Sequence, residues 1–243
     1  MSNTRLLQGD CLRLLPDVPT GSVDMVLADL PYGITCNAWD TPIPLRPLWD
    51  ELRRVCKKNA AMLFFSQMPF AAELAQSNRK MFRYEWIWQK EQGSGFLNAN
   101  RMPLRAHENI CVFYRSLPTY NPQKRKGEPY RTKSGANTSS NYGKFDGSVH
   151  SANSSGDRYP VDVLKYPAVR DKHPTQKPVP LLEYLIRTYT NPGETILDPA
   201  MGSGSTGVAA VNAGRSFIGM ELDEHYFDVA RERVAEAVRE NHG

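Results

Sequence analysis

The sequence predicts an α/β protein built on a doubly wound, mostly parallel β-sheet. Short apolar runs that suit buried strands alternate along the chain with segments in which apolar residues recur at helical spacing. The chain has 243 residues, of which 40% are hydrophobic and 23% charged, so it can bury a large core. Strands that alternate with helices are typical of a sheet covered by helices on both faces.

Seven strands and six helices follow from this pattern. The strands are the short apolar runs, at residues 5–8, 23–28, 60–65, 84–89, 109–114, 195–197 and 216–220. The helices show apolar residues at helical spacing or begin with a proline in the first turn, at residues 12–15, 47–58, 69–78, 179–189, 206–213 and 223–240. In the second helix, for example, Leu48, Leu52 and Val55 lie on one face.

The regular pattern stops between residues 116 and 172, where Ser, Asn, Gly, Pro and Lys dominate. Irregular segments of this length inside a compact domain are usually functional or disordered. Residues 79–172 contain 17 Lys and Arg against 8 Asp and Glu, whereas the rest of the chain contains 13 against 18. We therefore expect one domain in two halves, 1–115 and 173–243, that is interrupted by a basic insert, 116–172, facing a polyanion.

Several classes of protein are disfavoured by composition. The longest uninterrupted apolar run, 60–65, is far too short to span a membrane, and the first residues lack a secretory signal pattern. The cysteines are scattered at Cys11, Cys36, Cys56 and Cys111, which argues against a zinc site or a disulfide framework. We expect a cytoplasmic protein with reduced thiols and no bound metal.

A glycine-rich segment, 197–207, lies between a predicted strand and a predicted helix. Gly202, Gly204 and Gly207 match the GxGxxG pattern, in which glycines let a ligand approach the backbone at a helix N-terminus. Glu221 ends the next strand, 17 residues after Gly204, where a carboxylate can accept hydrogen bonds from ribose hydroxyls. The sequence therefore predicts a nucleotide-type cofactor site.

The position of this loop in the chain argues against a nicotinamide-dependent oxidoreductase. Only 36 residues follow Gly207, so a dinucleotide fold that began here would lack most of its sheet. The missing strands must come from upstream, and the cofactor-binding unit is then last in a permuted order. This order indicates a different adenosyl-containing cofactor.

A second motif, Asp29-Leu30-Pro31-Tyr32, directly follows the strand 23–28. Together with the glycine loop it resembles the Asp-Pro-Pro-Tyr signature of the DNA amino-methyltransferases. The resemblance extends to 9–11, to 172–178, to 198–206 and to Glu221, so that it covers nearly the whole chain outside 116–172. Because the tetrapeptide precedes the cofactor loop, the sequence resembles the β group of these enzymes.

The resemblance implies a seven-stranded, Rossmann-like sheet of the S-adenosylmethionine-dependent methyltransferase type, with circularly permuted motif order. It implies methyl transfer from S-adenosylmethionine to the N6 amino group of adenine in double-stranded DNA. Asp29 and the carbonyl of Leu30 would hold the two amino hydrogens, Pro31 would fix the backbone, and Tyr32 would stack on the extruded base. The family has Pro where this chain has Leu30, but the implied contact uses the backbone carbonyl.

The resemblance also implies the residues that bind the cofactor. Asp10 would contact its adenine or amino-acid portion, Thr175 and Lys177 its carboxylate, and Glu221 its ribose. The full set implied for cofactor binding is Asp10, Cys11, Asp29, Thr175, Lys177, Asp198, Pro199, Gly202, Gly204, Ser205, Thr206, Glu221 and Leu222.

The basic insert is the predicted DNA-binding segment, because cations suit phosphates and interleaved aromatic rings suit bases. Its candidate residues are Lys124, Arg125, Lys126, Tyr130, Arg131, Lys133 and Tyr142. Two alternatives remain at this point: methylation of cytosine N4 by the same residues, and a DNA-binding module that holds S-adenosylmethionine without turnover. The chain is expected to act as a monomer or homodimer, in a bacterial or phage setting.

Overall fold

A computed structural model describes residues 3–33, 41–131, 152–169 and 176–242. The chain divides into two compact units. The larger unit comprises Met1–Asn121 and Asp162–Gly243, and the smaller unit comprises Pro122–Val161.

An eight-stranded sheet forms the centre of the larger unit. Its strands and the two short strands of the smaller unit are β1 (Thr4–Gln8), β2 (Val23–Ala28), β3 (Cys56–Ser66), β4 (Phe82–Ser94), β5 (Arg105–Phe113), β6 (Tyr130–Arg131), β7 (Ala152–Asn153), β8 (Val163–Lys165), β9 (Thr195–Asp198) and β10 (Ser216–Glu221). The order across the large sheet is β1-β10-β9-β2-β3-β5-β4-β8. β5 is antiparallel to both of its neighbours, and the other adjacent pairs are parallel.

Within the described part of the chain, six α-helices accompany the sheet: α1 (Cys11–Leu14), α2 (Leu45–Val55), α3 (Phe70–Ser77), α4 (Val179–Tyr189), α5 (Ser205–Asn212) and α6 (Glu224–His242). Side chains of β2 alternate between two separate hydrophobic clusters. Val26 and Ala28 pack with residues of α1, α2 and α3, whereas Met25 and Leu27 pack with residues of α4, α5 and α6. Because β2 is buried on both faces, it is apolar along most of its length, as parallel central strands usually are. This arrangement confirms the predicted doubly wound α/β fold.

The structure differs from the sequence prediction in the number of strands. The sheet has eight strands rather than seven, because β8 pairs in parallel with β4 at its edge. β8 has three residues, and only the middle one, Leu164, is buried, so no apolar run marks it in the sequence. A second difference is that β3 begins at Cys56, directly after α2, whereas the sequence predicted a helix up to residue 58.

The smaller unit contains the antiparallel pair β6 and β7, together with an isolated antiparallel bridge between Arg125 and Arg158. It is shorter than the predicted insert 116–172, since the larger unit resumes at Asp162 and includes β8. The functional division of the chain into two halves and an insert stays a prediction. Among the described residues, no helix combines the length and apolar character needed to cross a membrane.

Candidate active site

The candidate site lies where the carboxyl ends of four parallel strands meet. β1, β2, β9 and β10 run in the same direction, so the residues at or just beyond their ends share one edge of the sheet. Asp10, Asp29, Asp198 and Glu221 occupy these positions and line a cleft of about 340 Å³. Open α/β sheets usually bind ligands at this edge.

The glycine-rich loop between β9 and α5 closes one side of the cleft. Gly204 precedes the helix with φ of +78°, and a Cβ there would lie 2.8 Å from the Cβ of Ala230. Gly202 has φ of +51°, and a Cβ there would meet no atom within 4 Å. Gly204 is therefore needed for packing against α6, whereas Gly202 leaves the backbone open to the cleft.

Glu221 holds the glycine loop in place. Its Oε2 accepts a hydrogen bond from the backbone N–H of Gly202 at 2.8 Å, and its Oε1 accepts one from Asp223 at 2.9 Å. Burial raises the pKa of the Glu221 carboxyl, although these backbone donors oppose the shift. The same carboxylate lines the cleft, so it can also face a ligand.

Asp198 ends β9 and is almost completely buried. Its Oδ1 accepts a hydrogen bond from the backbone N–H of Ala200 at 3.1 Å. Burial raises the pKa of the Asp198 carboxyl to about 7, and the nearby carboxylates of Asp29 and Glu221 add to this effect, while a hydrogen bond from Thr206 counteracts it.

Asp10 and Cys11 follow β1 at the neighbouring position. The backbone N–H of Gly9 donates to the carbonyl of Glu221 at 2.8 Å, which brings this turn beside the end of β10. Oδ1 of Asp10 caps α1 by accepting from the N–H of Leu12 at 2.8 Å. Burial raises the pKa of the Cys11 thiol to about 12, so the thiol stays protonated.

The tetrapeptide 29–32 follows β2 at the other side of the cleft. The hydroxyl of Tyr32 donates to Oδ1 of Asp29 at 2.7 Å. The Tyr32 ring stacks on Phe70, with ring centroids 5.0 Å apart, and the side chain of Leu30 is buried in the core. These contacts fix the direction of the Asp29 carboxylate.

A chain of alternating charges connects Asp29 to the interior of the sheet. The ammonium of Lys177 is paired with Oδ2 of Asp29 and lies 3.5 Å from Oε2 of Glu108. Oε1 of Glu108 in turn accepts from the ammonium of Lys90 at 2.5 Å. The Lys177 ammonium also lies 5.1 Å from the ring centroid of Phe65.

Glu108 and Lys177, the two buried residues in this series of charges, are held in their charged forms. Burial alone would raise the pKa of Glu108, but the ammonium groups of Lys177 and Lys90 outweigh burial and lower it. Burial likewise works against the Lys177 ammonium, but Asp29 and Glu108 raise its pKa. The carboxylates and the ammonium therefore stabilise one another.

Most residues predicted for catalysis and cofactor binding line this one cleft. These are Asp10, Cys11, Asp29, Leu30, Pro31, Tyr32, Lys177, Asp198, Pro199, Gly202, Ser205, Thr206, Glu221 and Leu222. Gly204 instead packs against α6, as described above, and Thr175 lies outside the described residues. The chemical roles of these residues stay predictions at this point.

Sequence reasoning missed several residues of the cleft wall. Glu108 lies on β5, and Gln67 follows the end of β3. Lys90, on β4, reaches the cleft indirectly through Glu108. A charged residue next to the apolar run of β5 is a weak signal, and nothing local in the sequence indicates that Glu108 meets Lys177.

Four of the predicted DNA-binding residues have described side chains, and these four lie in the smaller unit and are exposed: Lys124, Arg125, Lys126 and Tyr130. Lys126 pairs with Oδ1 of Asp157 at 2.7 Å, and the Lys124 ammonium lies 4.7 Å from the ring centroid of Tyr159. Arg125 exchanges two backbone hydrogen bonds with Arg158.

In the same unit, the guanidinium of Arg158 lies 4.5 Å from the ring centroid of Tyr130. Arg131 belongs to β6, but its side chain is not described, and Lys133 and Tyr142 lie outside the described residues.

Comparison with known proteins adds to this geometry. A family model described as "DNA methylase" matches residues 23–232. The DNA adenine methyltransferase YhdJ of Escherichia coli K12 is 29% identical over 250 residues, which cover 94% of this chain and 82% of YhdJ.

Two solved structures share the fold. The crystal structure of the M1.HpyAVI–SAM complex aligns with a TM-score of 0.66 and 25% identity, over 95% of this chain and 99% of that one. The cytosine-N4-specific PvuII DNA methyltransferase aligns with a TM-score of 0.70 over 99% of this chain and 93% of its own. Since PvuII is only 14% identical, this likeness concerns the fold alone.

Proposed function

The chain belongs to the family of DNA methylases, and from this premise we propose that it transfers a methyl group from S-adenosylmethionine to the N6 amino group of adenine in double-stranded DNA. One observation carries the proposal. The Asp29 carboxylate and the glycine-rich loop line the same cleft, so an acceptor for an amino group lies beside a nucleotide-type cofactor site.

The residues of the cleft fit S-adenosylmethionine. Its ribose offers hydroxyl donors and its amino-acid portion an ammonium, and the cleft offers the carboxylates of Glu221, Asp198 and Asp10. Gly202 presents an open stretch of backbone to the same space. When bound, the cofactor supplies a methyl group that is already activated by its sulfonium.

The tetrapeptide would act on the other substrate. The amino nitrogen of adenine is a poor nucleophile, because its lone pair is delocalised into the ring. If the Asp29 carboxylate accepts one amino hydrogen and the Leu30 carbonyl accepts the other, the lone pair is turned toward the methyl donor. A bond would form between the amino nitrogen and the methyl carbon while the bond from this carbon to the sulfonium sulfur breaks, which leaves a neutral thioether. The nitrogen would release one proton to solvent, so no metal or covalent nucleophile is required.

Lys177 and Tyr32 orient the Asp29 carboxylate for its contact with the amino group. Both donate to the Asp29 carboxylate before any substrate is present, so little reorganisation is needed during the reaction. The family resemblance assigned Lys177 to the carboxylate of the cofactor. Because its ammonium already serves Asp29 and Glu108, we assign Lys177 to the acceptor side of the site.

Adenine is favoured over cytosine by two observations. The tetrapeptide begins with Asp, as in the adenine-directed members that the sequence resembles, and YhdJ is named as an adenine methyltransferase. Methylation of cytosine N4 is the second candidate, because both targets are exocyclic amines and PvuII shares the fold.

The test is nucleoside analysis of DNA after incubation with the protein and isotopically labelled S-adenosylmethionine. We expect labelled N6-methyladenine in digests of double-stranded DNA from a methylation-deficient host. Label in N4-methylcytosine would support the second candidate. DNA without label, together with measurable cofactor binding, would instead indicate a non-catalytic module.

A further inference from the structure

The loop between β4 and β5 exposes large apolar side chains to solvent. We define residues 95–104 as the hairpin tip. Within it Phe96 is 69% exposed, Leu97 102% and Met102 54%. Exposed apolar groups that lie together commonly mark a binding surface.

The hairpin tip is an ordered structure. The backbone N–H groups of Asn98 and Ala99 donate to the carbonyls of Gly95 and Phe96, and those of Arg101 and Met102 both donate to Asn98. A Cβ at Gly93, just before the tip, would lie 2.7 Å from Leu104, so the two strands approach closely at its base. The apolar side chains are therefore presented on a folded turn.

The hairpin tip begins at the edge of the sheet that carries the cleft. β4 runs in the same direction as β3 and β2, since β5 is antiparallel to both β3 and β4. The guanidinium of Arg105 donates to Oε1 of Gln67 at 3.1 Å, and Gln67 lines the cleft. Glu108, three residues further along β5, lines it as well.

The charge of the hairpin tip suits a polyanion. Between Gly93 and His107 the chain contains Arg101 and Arg105 but no Asp or Glu. Both arginines are exposed. Apolar side chains flanked by guanidinium groups match a nucleic acid, whose phosphates attract cations and whose base steps accept apolar wedges.

We propose that the hairpin tip inserts Phe96 and Leu97 into the DNA duplex next to the target base, while Arg101 and Arg105 contact the flanking phosphates. The inference rests on the proposed function, since a base in a duplex must leave the stack to reach Asp29. Phe, Leu and Met are the side-chain types that proteins insert between base steps. A wedge inserted next to the target base would fill the space that the extruded base leaves.

The test compares a double variant, Phe96→Ser with Leu97→Ser, with the control variant Leu117→Ser. Leu117 is 79% exposed and follows the end of β5 opposite to the hairpin tip. The control therefore also replaces an exposed apolar side chain by Ser, but at a position away from the cleft. The probe is a short duplex containing the methylation site of the protein, identified by sequencing modified plasmid DNA. One form of the duplex carries 2-aminopurine at the target position, and another places an abasic site opposite the target base.

We expect the unaltered protein and Leu117→Ser to increase 2-aminopurine fluorescence and the double variant to lose most of this increase. Methyl transfer by the double variant should fall about tenfold on the paired duplex, because the extruded state loses its wedge. On the duplex with the abasic site the rate should stay within about twofold of that of the unaltered protein, since no pairing must be broken.

Three results would overturn the inference: equal rates on the paired duplex, an equal loss of rate on both duplexes, or a change in sedimentation of the DNA-free protein. The last would mean that the hairpin tip contacts a second copy of the chain. Failure of the proposed function is distinguishable, because the unaltered protein would then methylate neither duplex.

Discussion

The ammonium of Lys177 is paired with the carboxylate of Asp29, although the two residues are 148 positions apart in the sequence. Asp29 follows β2, whereas Lys177 immediately precedes the turn into α4. The pair therefore joins the tetrapeptide 29–32 to the segment 172–178, which the family resemblance assigns to cofactor binding. Glu108 and Lys90 extend the pair into the sheet.

Lys177→Met should slow methyl transfer by roughly 10²-fold, the scale seen when one preorganised donor is removed from an active site. The affinity for S-adenosylmethionine should be nearly unchanged, because the ammonium serves Asp29 rather than the cofactor. Single-turnover kinetics and calorimetry measure the two quantities separately. A large loss of cofactor affinity would instead support the role that the resemblance implies, in which Lys177 binds the carboxylate of the cofactor.

The same variant should also be less stable, since it leaves the Glu108 and Asp29 carboxylates without their shared cation. Breaking a buried ion pair from one side costs roughly 3 kcal/mol. Lys57→Met is the matched control, because Lys57 pairs with Asp24 through an exposed side chain and such pairs contribute less than about 1 kcal/mol. Equal urea midpoints for the two variants would contradict a stabilising role for the chain of charges.

Glu221→Ala should weaken S-adenosylmethionine binding by roughly 1–3 kcal/mol, the range for a charge-assisted hydrogen bond. Part of this loss would come from the glycine loop, because Glu221 also accepts from the backbone of Gly202. Titration calorimetry gives the affinity, and Glu224→Ala, at the start of α6, is the control. Unchanged affinity would exclude Glu221 from the cofactor site.

Asp198 should make the stability of the protein depend on pH. Its pKa is about 7 in the folded state and near 3.8 when the carboxyl is solvated, so the folded state binds this proton more tightly. The stabilisation that this proton gives to the folded state is therefore complete below the pKa of the unfolded state and is lost as the pH rises toward 7. Relative to Asp198→Asn, the free energy of unfolding of the unaltered protein should fall by up to about 1.4 kcal/mol per pH unit between pH 5 and pH 7.

Urea unfolding of both proteins at pH 5, 6, 7 and 8 measures this difference. If the free energies of unfolding of Asp198→Asn and of the unaltered protein differ by the same amount at every pH from 5 to 7, the Asp198 carboxyl does not titrate in this window.

Replacing Lys124, Arg125 and Lys126 together by Gln should weaken binding to every DNA sequence tested. The slope of log affinity against log salt should decrease by about one unit for each lost phosphate contact. Tyr130→Ala should alter sequence preference with little change in slope. Anisotropy titrations at several salt concentrations decide this, with cofactor affinity as the control for folding. An unaltered slope in the triple variant would mean that Lys124, Arg125 and Lys126 make no phosphate contact.

The sequence predicted the fold class from its local pattern of apolar residues, whereas most residues of the carboxyl edge followed from the resemblance to the DNA amino-methyltransferases. Apolar runs marked β2, β9 and β10, and parallel strands necessarily bring the residues that follow them to one edge. The strand pattern placed Asp29 and Glu221 at strand ends, the resemblance added Asp198, and all three line the cleft.

Glu108 and Lys90 could not be found in this way. Their meeting depends on the antiparallel register that places Glu108 opposite Trp88, and on the position of Lys177 across the sheet. No local pattern encodes that register. β8 escaped prediction for a related reason, since a three-residue edge strand is stabilised by its partner β4 rather than by an apolar run.

The most direct test of the proposed mechanism is the rate of methyl transfer to DNA by Asp29→Ala, measured beside the unaltered protein and the surface control Asp50→Ala. The mechanism predicts that Asp29→Ala loses at least about 10²–10³-fold in rate while it still folds and binds S-adenosylmethionine. Asp50→Ala should transfer methyl groups at the unaltered rate. Full activity in Asp29→Ala, with N6-methyladenine as the product, would contradict the assignment of Asp29 as the acceptor of the amino group.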